Sequence, residues 1–99
     1  MENAIDRTWR TASAAPIPIR HWEGDWVVYN PLSGDTHFLD IVAGEVLRLV
    51  MESPADASVL SRRVAAFLDV PANANTAANV GQILRRLDEF GLIEPVPGC

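Results

Sequence analysis

Residues His21–Asp40 read HWEGDWVVYNPLSGDTHFLD, and their pattern decides the fold. Ile19–Trp22 forms one expected strand, and Glu23-Gly24-Asp25 is a tight turn in which Gly24 supplies positive φ. Trp26–Asn30 carries the aromatic and β-branched residues that suit a second strand. Pro31 cannot donate to a ladder and Gly34 relieves a left-handed position, so Pro31–Asp35 is a longer turn. Thr36–Leu39 is the third strand. A three-stranded ribbon ahead of helices packs one face on them and leaves the other face and an outer edge open. An open strand edge can pair with a peptide.

Working outward, Asp40 caps a helix expected over Ile41–Glu52, with Val42, Val46, Leu49 and Val50 at helical spacing. Ser53-Pro54 stops it. A second helix is expected over Asp56–Leu68, with Leu60, Val64, Phe67 and Leu68 facing the core. Val70–Asn75 is a connector, and Thr76–Phe90 is a third helix with Val80, Ile83, Leu84 and Leu87 on one stripe. Gly91 is a C′ stop, and Leu92–Val96 reads as a short final strand before the Pro97–Cys99 tail. Met1–Pro18 reads as loosely structured, with Ile5 and Trp9 as its anchors and a short strand or clasp around Trp9. The expected architecture is α+β: a three-stranded antiparallel sheet, then a three-helix bundle laid out as a winged helix-turn-helix. Residues 19–96 make its single domain.

Composition narrows the function. A chain of 99 residues buries roughly 60–70% of its unfolded surface and supports one core. Thirteen acidic residues face eight basic ones, all arginine, for a net charge of −5. That balance disfavours nucleic acid and anionic membranes as partners, since both reward a basic surface. Cys99 is the only cysteine and cannot close an internal disulfide, which suits a reducing cytoplasm. The N-terminus has no continuous apolar stretch of the kind found in secretory signals, and no apolar run reaches membrane-spanning length.

Catalytic patterns are weak. Two histidines, His21 and His37, without a neighbouring cysteine do not make a structural zinc site. Ser33 lacks a nucleophile-elbow context, and no phosphate-binding loop or nucleophile–base pair is present, so neither catalysis nor a cofactor is expected. His37 reads as a strand histidine satisfied by its neighbours or as a partner contact. Phe38 reads as core or as part of a pocket, and Leu39 as core. Trp9, Trp22 and Trp26 divide between core and interface, with at least one expected under the N-terminal segment or at a subunit contact.

The tract also carries a likeness. Trp22, Gly24, Tyr29, the run Ser33-Gly34-Asp35-Thr36-His37-Phe38-Leu39, then Ala43, Val46 and Leu47, resemble the PqqD-like family. These are small peptide-chaperone domains related to the recognition elements of ribosomally made, modified peptides. The Ser-Gly-x-Thr-His-x-Leu pattern is most similar to the branch associated with HPr-kinase-related systems (HPr-rel-A), and the likeness runs on to Leu87, Gly91, Leu92 and Ile93. It implies a winged-helix-like fold without catalysis. It further implies that a precursor's leader adds as a strand along the third strand, beside the third helix, for presentation to a modifying enzyme. Carried over, the edge is Thr36, His37, Phe38 and Leu39, and the groove wall includes Asn79, Gln82 and Arg86.

Magnitudes temper the edge. Three or four ladder bonds at roughly 0.5–1.5 kcal/mol each barely offset the roughly 2–5 kcal/mol cost of ordering a peptide. Micromolar binding needs about −8 kcal/mol, so side-chain pockets must supply most of it. Two other functions compete. One is a winged-helix DNA-binding regulator reading bases with Thr76, Asn79, Gln82 and Arg86. The other is an enzyme, which the weak catalytic patterns disfavour; a homodimer through the edge strand or the open sheet face is compatible with peptide binding, though it could occupy the same edge.

Overall fold

The computed structural model describes residues 8–12 and 17–96; residues 1–7 and 13–16 of the expected N-terminal segment, and the 97–99 tail, lie outside them. The element order is β1 (Thr8–Thr11), β2 (Ile19–Trp22), β3 (Asp25–Tyr29), β4 (Thr36–Leu39), α1 (Ile41–Glu52), β5 (Ala55–Asp56), α2 (Ala57–Leu68), α3 (Ala74–Glu89) and β6 (Ile93–Pro95). The three strands read from the sequence are β2, β3 and β4, and they form an antiparallel sheet in that order ahead of the helices. The α+β architecture is as expected.

Local chemistry fixes these boundaries. Glu23 and Gly24 both have positive φ, 52° and 87°, so two residues close the β2–β3 hairpin in the form that matches strand twist. The Asp40 carboxylate accepts from the Ala43 amide at 2.8 Å and starts α1. Asp56 does the same for α2 through the Val59 amide, and Asp69 ends that helix in the left-handed region. The Asn73 side chain accepts from the Asn75 and Thr76 amides, so α3 begins at Ala74, inside the expected connector.

A second sheet, in the order β5-β1-β6, was only partly legible. The strand around Trp9 is its centre: Trp9 lies opposite Ala55 on one side and Pro95 on the other. Trp9 and Trp26 both lie in the core, with Ile17, Leu47, Leu60 and Leu92. Each such fully buried aliphatic side chain contributes about 1.5–3 kcal/mol.

One core expectation is corrected. Phe67 and Leu68 do not face the core but are 44% and 41% exposed. The buried stripe of α2 runs Ala57, Leu60, Ser61, Val64 and Ala65, and its last turn extends past the core layer. Among the described residues, no helix is long and apolar enough to cross a membrane.

Candidate functional site

Strand pairing determines which backbone groups of β4 are available. The Asn30 amide donates to the Asp35 carbonyl at 2.8 Å, directly ahead of a register that pairs Tyr29 with Thr36, Val28 with His37, Val27 with Phe38 and Trp26 with Leu39. Hydrogen-bonded and non-bonded pairs alternate in an antiparallel ladder. Val28–His37 and Trp26–Leu39 are therefore the bonded pairs. The N–H and C=O groups of Thr36 and Phe38 point the other way, into the open edge. On the other side of β3, the Tyr29 amide donates to Pro18 at 3.0 Å, as the same alternation requires.

Side chains divide by the same parity. His37 and Leu39 face inward with Trp26 and Val28, whereas Thr36 and Phe38 share the outer face with Val27 and Tyr29. Phe38 is 70% exposed and Leu39 is 2% exposed.

The C-terminal end of α3 is anchored to this sheet by two contacts. The His37 ring stacks on Phe90, with centroids 4.2 Å apart and planes at 11°. Asn30, buried at the end of β3, donates from Nδ2 to the Phe90 carbonyl at 2.9 Å. Its Oδ1 accepts from the Leu32 and Ser33 amides, so one side chain joins the β3–β4 turn to the helix end. The Arg86 guanidinium lies 5.9 Å from the Phe90 ring centroid.

From Phe90 back along α3, Arg86, Ile83, Gln82 and Asn79 lie on one face at helical spacing. Asn79, Gln82 and Ile83 line a cleft of ≈ 400 Å³ closed by Val42 of α1, by Leu68 at the end of α2 and by Val70 just beyond it. Val42 follows β4 by three residues. His37 of β4 thus meets Phe90 just past α3, and Val42 of α1 shares the cleft lining with Ile83. The cleft is mostly apolar, and Leu68 and Val70 are 41% and 45% exposed.

The expected site residues sort clearly. Thr36 and Phe38 present free edge groups, His37 braces α3, and Leu39 is a core residue bonded to Trp26. Asn79 and Gln82 line the cleft, and Arg86 lies outside its lining, near the Phe90 ring, exposed and without an ion pair among the described residues. Sequence reasoning missed Asn30, Val42, Leu68, Val70 and Phe90. The exposed apolar pair Leu68 and Val70, flanking a helix stop, was the available signal for the cleft; nothing local pointed to Asn30. Among the described residues, no group of three His, Cys, Asp or Glu side chains is placed to hold a metal ion.

No family model matches the chain, and no curated protein matches it. Among solved structures it is similar to one described as TbiB1 in complex with the TbiA(beta) leader peptide, with a TM-score of 0.70 at 19% identity, over 90% of this chain and 99% of that one. The two proteins share a fold.

Proposed function

We propose that this chain is a non-catalytic peptide-binding adaptor that takes an extended peptide as an added strand on β4, beside α3, and presents it to a partner enzyme. The observation that carries the reading is the unpaired backbone of Thr36 and Phe38 on the outer edge of β4, whose His37 stacks on Phe90 at the end of α3. The fold shared with TbiB1, whose structure is a complex with a leader peptide, supports the same reading. So does the sequence resemblance, which implies a precursor peptide and an enzyme of the HPr-kinase-related kind.

Two edge residues offer four backbone groups, worth together about 2–6 kcal/mol net. That is close to the ordering cost of the peptide, about 2–5 kcal/mol. Apolar side chains entering the cleft, at about 1.5–3 kcal/mol each, then set the affinity. The edge sets register and the cleft sets choice.

A DNA-reading role for α3 finds no support in this arrangement. Asn79 and Gln82 line the cleft, and the net charge is −5. Dimerisation through β4 would compete for the same edge.

Isotope-labelled protein titrated with the peptides encoded beside its gene tests the proposal. Amide shifts are expected at residues 36–39 and along 79–86. Shifts confined to any other surface would remove β4 and α3 as the site.

A further inference from the structure

The solvent-facing side of the β2–β3–β4 sheet carries rows of side chains that stop at the open edge. Register sets Arg20 opposite Val27 and Val27 opposite Phe38, while Tyr29 stands opposite Thr36. Phe38 and Tyr29 are exposed and Val27 is half-buried. The Phe38 ring therefore has Val27 on one flank, and on the other flank the sheet ends.

The edge strands differ in how they receive an incoming strand. Prolines and charged side chains are the usual defences of an edge. Leu92 and Val96 bond β6 to β1, so by alternation Pro95 falls at an outward-facing position, where it has no N–H to donate. β2 starts directly after Pro18 and carries the exposed Arg20. β4 reads Thr-His-Phe-Leu, with neither proline nor acidic or basic side chain other than His37, and the carboxylates of Asp35 and Asp40 lie outside its paired residues. Its outward-facing positions, Thr36 and Phe38, hold two residue types that favour strands.

We propose that Phe38 is a specificity-determining residue of this edge, selecting peptides that carry an aromatic side chain on the solvent-facing side of the added strand, directly across from it. The proposal deepens the strand-addition reading and rests on it.

Parity dictates the face. The free N–H and C=O of Phe38 bond the added strand, and the residue directly across then projects to the same outer side, in either strand direction. Its Cβ stands about 5 Å from that of Phe38. The peptide residues on either side of it turn inward, toward the helices. An aromatic side chain across from Phe38 extends the Val27–Phe38 row by one ring and covers the flank that the sheet leaves bare. Aromatic pairs gain more from such a position than a polar residue does. This selection acts on the opposite face of the peptide from the cleft.

The experiment uses the full chain and fluorescein-labelled peptides Lys-Val-Thr-Val-Xaa-Val-Thr-Val-Lys, with Phe or Ser at Xaa, followed by anisotropy and by amide shifts. The sequence reads the same both ways, so strand direction does not alter the comparison, and Xaa lies on the face opposite the valines. The Phe peptide is expected to bind about threefold to fivefold tighter than the Ser peptide. Phe38→Thr keeps the edge backbone and removes that preference, with a urea melt close to the parent's, whereas Phe38→Tyr retains it. In the parent protein, nuclear Overhauser contacts are expected between the peptide ring and the Phe38 ring.

Equal affinity of the two peptides, accompanied by amide shifts at Thr36 and Phe38, overturns the role of Phe38 and leaves strand addition standing. A preference that persists in Phe38→Thr overturns it as well, as do Overhauser contacts from the peptide ring to Val42 or Ile83 in place of Phe38. If neither peptide perturbs the Thr36 and Phe38 amides, strand addition and the selection built on it fall together.

Discussion

The His37 imidazole lies flat on the Phe90 ring, 4.2 Å between centroids, and joins the edge strand to the C-terminal end of α3. These residues are distant in sequence, so the contact fixes how far apart β4 and the cleft-bearing helix stand. Asn30 holds the same helix end from behind by donating to the Phe90 carbonyl. Strand and helix are therefore positioned by two side chains that never face the open edge.

Asn30→Ala tests the second of these. The substitution removes the donor to Phe90 and the acceptor for the Leu32 and Ser33 amides, leaving part-buried backbone groups without these partners. A loss of about 2–4 kcal/mol is expected in urea unfolding. Asn30→Asp keeps the acceptor but turns an oxygen toward the Phe90 carbonyl, and should destabilise by a similar amount. A loss below about 1 kcal/mol for either variant would show that the turn and the helix end are held independently of this residue.

Gly44→Ala should also destabilise, against the usual helix preference. Alanine normally gains about 1 kcal/mol over glycine inside a helix. Here a Cβ would fall inside the van der Waals envelope of the Trp26 indole, which packs across α1. Overpacking of this kind costs about 1–3 kcal/mol. A lowered thermal midpoint with unchanged helical content is the expected result; a raised midpoint would mean that the indole can move aside.

Leu68→Ser separates cleft from core. Leu68 is 41% exposed and lines the cleft, so replacing it should change stability by about 1 kcal/mol or less. Peptide affinity should fall about fivefold to tenfold, as the lost apolar contact of roughly 1–1.4 kcal/mol dictates. Anisotropy titration beside a urea melt checks both numbers. The opposite pattern, lost stability with intact binding, would return Leu68 to the core.

How much of this could be read in advance depends on the range of each interaction. The β2–β3–β4 ribbon was legible because period-two alternation and the turn residues Gly24 and Gly34 are local signals. The three helix starts at Asp40, Asp56 and Asn73 depend on side chains within a few residues, and the reading came close to each. Ala55–Asp56 was not legible as a strand, because two residues behind Pro54 carry no periodicity and acquire their pairing only from Thr8 and Trp9. Asn30 read only as the last residue of the second strand for the same reason: its partner lies sixty residues away. Phe67 and Leu68 continue the apolar stripe of α2, and periodicity alone does not say where the core beneath a helix ends. The candidate edge was thus visible in the sequence, whereas the cleft beside it was assembled by tertiary contacts.

Proline substitution along β4 tests the parity of the edge directly. The Phe38 amide points into the open edge, so Phe38→Pro removes no bond to β3 and costs only the narrowing of φ, about 1 kcal/mol. His37→Pro removes a ladder bond to Val28 together with the ring stacked on Phe90, and should cost about 3 kcal/mol or more. Binding should respond differently. Phe38→Pro deletes an edge donor and sets a ring in the path of an added strand, so a folded variant loses peptide binding. The contrasting substitution Phe38→Lys keeps that amide, and should retain most of the backbone-directed affinity. A Phe38→Pro protein that melts like the parent and no longer binds peptide locates the added strand at this edge. If the same variant binds undiminished, the peptide does not pair with β4; if it unfolds as severely as His37→Pro, the alternation of bonded pairs is the reverse of that described.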